Sequence, residues 1–182
     1  MPDEADVFID GMFLQNVIAA YSLGSKVDYE KLSNKLAGSY RRNRTYVFDA
    51  LPHSNEMNQQ KKQRFLDKLR YLNSFQVELG YVKLENKHCP KCHQDVQIPR
   101  QKKVDILIAT RLIERSKQVD KIILVAGDAD FVPAIEFARQ NSKIAVAYAD
   151  HASVGAATQL IQACDERIVL DTGYFQDCLL PV

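Results

Sequence analysis

Short apolar runs alternate with amphipathic segments along the chain. The apolar runs predict strands at residues 7–9, 45–48, 76–82, 121–126, 143–149 and 167–170. Apolar side chains at helical spacing predict helices at residues 28–36, 56–75, 105–115, 131–139 and 153–163. This alternation predicts an α/β fold with a largely parallel central sheet, in which ligands bind at the carboxyl ends of the strands.

The size and composition fit one ordinary domain. We expect residues 1–182 to form a single domain, because 46% hydrophobic and 26% charged residues are typical of a globular protein. No run approaches the roughly 20 apolar residues that cross a bilayer, so no membrane partner is expected. The N-terminus, MPDEADVFID, is acidic and unlike a signal peptide, which favours a cytoplasmic location.

Positive charge is concentrated in three short clusters, although the net charge is only +1. The clusters lie at residues 41–44, 61–64 and 100–103. Each can be a solvated surface, or the three can form one phosphate-binding surface if the fold brings them together. The candidate nucleic-acid-binding side chains are those of Lys61, Lys62, Arg64, Arg100, Lys102 and Lys103.

Four aspartates lie where an α/β fold places its chemistry. Asp10 directly follows the first apolar run, and Asp128 and Asp130 follow the run at 121–126. Asp105 opens a predicted helix. Carboxylates pressed together repel one another, and Mg²⁺ or Mn²⁺ relieves that repulsion and activates water for phosphodiester hydrolysis. The pattern therefore predicts four metal-binding, catalytic acids, although each aspartate alone can instead cap a helix or stabilise a turn.

Three segments together resemble the signature of a known family. They are VFIDG near the N-terminus, KKVDILIATRLI in the middle and IILVAGDADFVPAIEFAR later in the chain. They resemble the NYN domain family, in its LabA-like branch, which is a division of the PIN-like nuclease superfamily. The resemblance implies a PIN-like three-layer sandwich, a ribonuclease activity dependent on Mg²⁺ or Mn²⁺, and metal ligation by Asp10, Asp105, Asp128 and Asp130.

The chain departs from the family pattern at a few positions. Phe13 stands where many relatives have asparagine, so a polar partner is missing or is replaced by Asn16. Ser142 stands where relatives usually have glycine before a strand. The segment TQLIQACDERIVL resembles the family's closing segment, with Thr158 and Asp165 in its polar positions. The substitution at Phe13 bears on catalytic efficiency more than on fold.

Residues 85–103 predict a loop insertion, because the segment is polar and has no apolar period. It carries Cys89 and Cys92 in a CxxC, flanked by His88 and His93. A structural zinc site usually needs four ligands, and a second cysteine pair is not evident. A zinc site at Cys89 and Cys92, a plain polar loop and a thiol redox site are the alternatives.

The leading hypothesis from the sequence is an endoribonuclease whose carboxylates hold one or two divalent ions. A catalytically weak or inactive RNA-binding module on the same fold is the alternative, and Phe13 favours it. A haloacid-dehalogenase-like phosphotransferase is a weaker rival, because Met12 replaces the second acid of the DxD that such enzymes need. The oligomeric state stays open, a homodimer included.

Overall fold

The computed structural model describes residues 3–23, 27–52, 56–88, 90–91 and 94–180. The strands found in this part of the chain are β1 Glu4–Asp10, β2 Arg41–Ala50, β3 Phe75–His88, β4 Asp95–Lys102, β5 Lys121–Val125, β6 Lys143–Tyr148 and β7 Glu166–Val169. The helices found there are α1 Gly11–Ala20, α2 Tyr29–Ala37, α3 Glu56–Arg70, α4 Val104–Arg115, α5 Val132–Ala138, α6 Thr158–Ala163 and α7 Thr172–Gln176. A short 3₁₀ turn, Ala129–Phe131, precedes α5.

The strands form one mixed sheet in the order β4-β3-β2-β1-β5-β6-β7. Every pairing is parallel except that of β3 with β4. The sheet therefore confirms the predicted α/β fold, consistent with a PIN-like sandwich. Among the described residues, no helix is long and apolar enough to cross a membrane.

Helices cover both faces of the sheet, because the central strands are apolar on both sides. One core packs α1, α2, α3 and α7 against side chains such as Val7, Ile9 and Val47. The other packs α4, α5 and α6 against the alternate side chains of the same strands, such as Phe8 and Phe48. The two cores and the sheet between them make the three layers.

The six predicted strands are present, but part of the helix and loop prediction was wrong. The helix predicted at 56–75 ends at Arg70, and Phe75 begins β3. Much of the loop predicted at 85–103 is a β-hairpin, with residues from Tyr81 to His88 paired to residues from Lys102 back to Asp95. Little of this hairpin is buried, so backbone hydrogen bonds hold it and its sequence shows no apolar period.

The parallel strands place different residues at opposite edges of the sheet. β1 and β2 end together at one edge, where Asp10 pairs in register with Phe48. The basic cluster at 41–44 begins β2 and so lies at the other edge. There Arg41 pairs with Glu4, and Arg42 donates to Asn34. The three basic clusters therefore do not join into one surface.

Gly80 allows the chain returning from β4 to pass close to β3. A Cβ atom at Gly80 would lie 2.3 Å from the carbonyl oxygen of Lys102 and 2.7 Å from Val104 Cγ2. We expect Gly80→Ala to lower the free energy of unfolding by about 1–3 kcal/mol, because the backbone must shift to admit the methyl group. Gly155→Ala is the matched control, since its Cβ would meet nothing closer than 3.7 Å. Equal urea midpoints for the two variants would contradict the prediction.

Candidate active site

Asp10 is the last residue of β1 and the N-cap of α1. Its Oδ1 accepts hydrogen bonds from the backbone N–H groups of Met12, at 3.0 Å, and Phe13, at 3.1 Å. Its Oδ2 accepts none from the described residues and stays available to a ligand. Burial raises the pKa of Asp10 to about 6, and repulsion from Asp105 and Asp49 adds to the rise against the two hydrogen bonds.

Asp49 is a fifth acid at this edge, and the sequence analysis missed it. It follows the apolar run at 45–48 just as Asp10 follows its own run, so the same signal could have found it. The carboxylate is 3% exposed, and Oδ1 accepts from the N–H of Ala50 at 2.8 Å. A Cβ atom at Gly11 would lie 2.4 Å from Asp49 Oδ2, so glycine at that position admits the carboxylate.

Lys62 of α3 neutralises Asp49. Its Nζ lies 2.6 Å from Asp49 Oδ2. The contact is an ion pair between two mostly buried groups, and the ammonium group supplies the counter-charge of the carboxylate.

Asp105 lies in the first turn of α4 and does not cap it. The N-cap is Lys103, which has a φ of 71° and makes no side-chain capping bond. The alternative of a capping role for Asp105 is therefore excluded. Burial raises the pKa of Asp105, and repulsion from Asp128 and Asp130 raises it further.

Asp128 and Asp130 lie in the turn that follows β5. Asp128 Oδ1 accepts from the N–H of Asp130 at 2.9 Å, so it stabilises the 3₁₀ turn with one oxygen. Asp130 does not cap α5, whose N-cap is Phe131 without a side-chain bond. Gly127 sits against Phe13, because a Cβ atom there would lie 2.5 Å from Phe13 Cε2.

These acids repel one another in an unbroken series. Asp49 acts on Asp10, Asp105 acts on Asp10, and Asp128 and Asp130 act on Asp105. Within the described residues, Lys62 is the only cationic side chain that forms an ion pair with a member of the series. The carboxylates of the series therefore carry negative charge that few cationic side chains offset.

The donor set suits a hard divalent cation, although it does not form a finished cage. Among the described residues, no three acidic, histidine or cysteine side chains are close enough to hold a metal ion together. Mg²⁺ usually takes one or two carboxylates and keeps several waters, so a closed protein cage is not required.

The candidate nucleic-acid-binding residues differ in their surroundings. Lys61, Arg64 and Arg100 are exposed, whereas Lys62 is engaged with Asp49. Lys102 Nζ pairs with Glu85 Oε1 at 2.7 Å. The ammonium group of Lys103 lies 5.4 Å from the centroid of the Tyr81 ring.

The family's closing segment divides between the two edges of the sheet. Thr158 begins α6, close to the chain that carries Gly127, since the N–H of Ala157 donates to the Gly127 carbonyl at 2.9 Å. Asp165 lies at the opposite edge, where it accepts from the N–H of Ile144 at 2.8 Å and from Arg139. Asp165 is therefore a structural residue that joins β6 to the end of α6.

Phe13 and Asn16 of α1 differ in exposure. Phe13 is buried in the core, and Asn16 is exposed one turn later on α1.

Cys89, Cys92 and His93 lie outside the described residues, and the zinc prediction falls there with them.

Comparison with known proteins identifies the family and a similar fold. No curated protein matches the chain. A crystal structure of VPA0982 from Vibrio parahaemolyticus, a protein of unknown function, has a similar fold, with a TM-score of 0.64 and 23% identity. The similarity covers 98% of this chain and 97% of that chain. The NYN domain model matches residues 5–171. The chain therefore belongs to the NYN domain family, a family of nuclease-like proteins with the PIN-like fold.

Proposed function

We propose that the protein is a metal-dependent ribonuclease that hydrolyses RNA phosphodiester bonds at Asp10, Asp105, Asp128 and Asp130, with Asp49 beside them. The observation that carries the proposal is the series of mutually repelling carboxylates at one edge of the sheet. A fold gains no stability from such an arrangement, since each ionised carboxylate raises the cost of the next. Acids that a fold retains against their own repulsion favour a role in binding a cation.

Each side chain has a part in this chemistry. A bound Mg²⁺ or Mn²⁺ would polarise the phosphate and lower the pKa of an attacking water. In both Asp10 and Asp128, Oδ1 accepts hydrogen bonds from backbone N–H groups, which leaves Oδ2 for the cation. Asp105 and Asp130 form no hydrogen bond through their carboxylates within the described residues, so both can turn towards it. Lys62 would offset the negative charge of Asp49, because its ammonium group contacts that carboxylate.

Family membership and the basic side chains near this edge support the proposal that RNA is the substrate. Lys61 and Arg64 lie on the same helix as Lys62, and Lys102 and Lys103 directly precede α4. Such groups would hold the phosphates on either side of the cleaved bond. Membership of the LabA-like branch, a cytoplasmic location, zinc at Cys89 and Cys92, and the oligomeric state stay predictions.

The test is cleavage of an end-labelled single-stranded RNA by the purified protein in the presence of Mn²⁺ or Mg²⁺. We expect cleavage to stop when EDTA exceeds the metal and to resume when Mn²⁺ is restored, because the carboxylates need the cation to act on phosphate. An Asp10→Asn protein purified in parallel controls for contaminating ribonucleases. Cleavage that persists in EDTA, or is equal in the variant, would contradict the proposal.

A second candidate is an RNA-binding module without catalysis. Phe13 favours it, because a buried phenylalanine occupies the position at which many relatives have a polar side chain. The same assay separates the two candidates when RNA binding is measured beside cleavage. Tight binding without cleavage in any of the metals would support the module and overturn the enzyme.

A further inference from the structure

A groove of about 770 Å³ lies between α2 and α3, outside the carboxylate series. Its floor is apolar and partly aromatic, formed by Tyr29, Phe65, Leu69 and Leu72. The rings of Tyr29 and Phe65 meet edge to face, with centroids 5.3 Å apart. The volume and the lining are those of a site for a flat, partly apolar molecule.

Three cationic side chains of α3 line the same groove. Lys61, Arg64 and Lys68 are exposed, and none of them forms an ion pair with a described residue. Their spacing of three and four residues places them on one face of the helix, with Lys61 and Lys68 about 10 Å apart along its axis. A row of unpaired cations above an apolar floor is complementary to a chain of phosphates with attached bases.

Two acidic residues lie on the opposite wall, and both already have partners. Asp28 Oδ1 accepts from the N–H groups of Glu30 and Lys31 and so caps α2. The carboxylate of Glu30 lies 3.7 Å from the guanidinium of Arg42. Among the described residues, the cationic side chains of α3 therefore outnumber the acidic side chains that line the groove.

Two lining residues of the groove lie near Asp49, the acid beside the proposed active site. Lys61 precedes Lys62, whose ammonium group contacts Asp49. Tyr29 on the groove floor is also near Asp49, since repulsion from that carboxylate contributes to raising the pKa of the tyrosine after the larger effect of burial. A strand that places one phosphate at the carboxylates thus has the groove beside it for the next nucleotides.

We propose that this groove binds an unpaired nucleotide of a single-stranded RNA, with its base on the Tyr29–Phe65 floor and the neighbouring phosphates against Lys61, Arg64 and Lys68. The inference rests on the proposed function for the identity of the polyanion. It adds a specificity, because a base held in a duplex is stacked and paired and cannot enter a groove. The protein selects single-stranded over double-stranded RNA.

The first experiment measures binding without cleavage. A fluorescein-labelled 12-nucleotide RNA is titrated by anisotropy in EDTA, alone and annealed to its complement. The proteins are the wild type, the K61Q/K68Q variant and the matched control K117Q/K143Q, which removes two exposed lysines far from the groove in sequence. We expect the wild type and the control to bind single-stranded RNA at least tenfold more tightly than duplex.

The K61Q/K68Q variant should bind single-stranded RNA about tenfold more weakly than the control. Two lost phosphate contacts should also reduce the slope of log K against log salt by about 1.4. Equal affinities and slopes for the two double variants would overturn the proposal, as would equal binding of duplex by the wild type. A change of oligomeric mass in K61Q/K68Q with RNA binding unaltered would mean that the groove contacts protein instead.

The second experiment locates the base without altering the floor. RNA with one 4-thiouridine at successive positions is crosslinked by ultraviolet light, and the attached peptides are identified by mass spectrometry. We expect crosslinks to Tyr29 or Phe65 from one or two adjacent nucleotide positions of the RNA. Crosslinks to other residues alone would overturn the proposal. Because neither experiment needs cleavage, an inactive protein that still passes both would refute the nuclease and leave the groove assignment standing.

Discussion

Asp10→Asn is expected to lower the rate of metal-dependent RNA cleavage by about 10³-fold, a loss of about 4 kcal/mol of transition-state stabilisation. The amide keeps an oxygen to accept from Met12 and Phe13, so the cap of α1 survives. What the substitution removes is the negative charge that a divalent cation requires. The measurement is the single-turnover cleavage rate at saturating Mn²⁺.

The same substitution should stabilise the metal-free protein. Burial raises the pKa of Asp10 from its ordinary value of 3.8 to about 6 in the folded state. Its folded carboxylate therefore costs stability above pH 6, a cost that disappears as the pH falls through 6 towards 3.8. In EDTA at pH 8, Asp10→Asn should exceed the wild type by about 3 kcal/mol in free energy of unfolding, and the difference should largely disappear near pH 4.

Asp171→Asn is the matched control for both effects. Asp171 caps α7, accepting from the N–H of Tyr174 at 2.7 Å, and is exposed. Its replacement should leave cleavage and stability close to those of the wild type. An Asp10→Asn protein that is as active as this control would remove Asp10 from the catalytic site, and one that is less stable would show that the raised pKa has been misassigned.

The strand-end rule explains which candidate site residues the sequence predicts and which it does not. Asp10 and Asp128 were found because an apolar run predicts where a strand ends, and the edge at which parallel strands end is shared. Asp49 satisfies the same rule, although its segment carries none of the family's signature. The pairing of Asp49 with Lys62 could not be predicted, since it depends on how α3 packs over β2.

The sequence did not predict three elements. Each is held mainly by backbone hydrogen bonds or is too short to show a hydrophobic period. The β3–β4 hairpin has little buried surface, so it left no alternation in hydrophobicity. α1 is short and begins directly after β1, and its apolar residues continue the run of the strand. α7 has five residues, too few to show a helical period. None of these elements therefore leaves a distinct hydrophobic period in the sequence.

Arg115→Met is expected to lower the free energy of unfolding by about 3–5 kcal/mol, the largest stability effect that we predict. Asp6 on β1 is completely buried, and Arg115 Nε lies 2.6 Å from its Oδ2. Asn43 donates to the other oxygen at 3.1 Å. Without Arg115, a buried carboxylate keeps one neutral donor and no counter-charge. Methionine retains the aliphatic part of the side chain, so the lost stability measures the contribution of the guanidinium charge.

Arg70→Met is the control for removal of an arginine from an ion pair. Arg70 lies 2.7 Å from Asp67, but the two side chains are 40% and 45% exposed, so solvent replaces the lost partner at a cost within about 1 kcal/mol. Urea unfolding of the two variants compares a buried pair with an exposed one at equal change of side chain. Equal losses would mean that burial of Asp6 does not make its counter-charge necessary.

The two partners of the buried pair should not be equivalent. Arg115 is 14% exposed, so after Asp6→Asn its guanidinium can still turn towards water and keep its bond to Gln118. Asp6→Asn should therefore cost much less than Arg115→Met, although both break the same ion pair. Because Asp6 lies near the start of β1 and Asp10 at its end, neither change touches the carboxylate series, and cleavage per folded molecule should stay at the wild-type rate. If activity falls only in proportion to the amount of folded protein, Asp6 and Arg115 support β1 and, unlike Asp10 at its end, are not part of the proposed catalytic site.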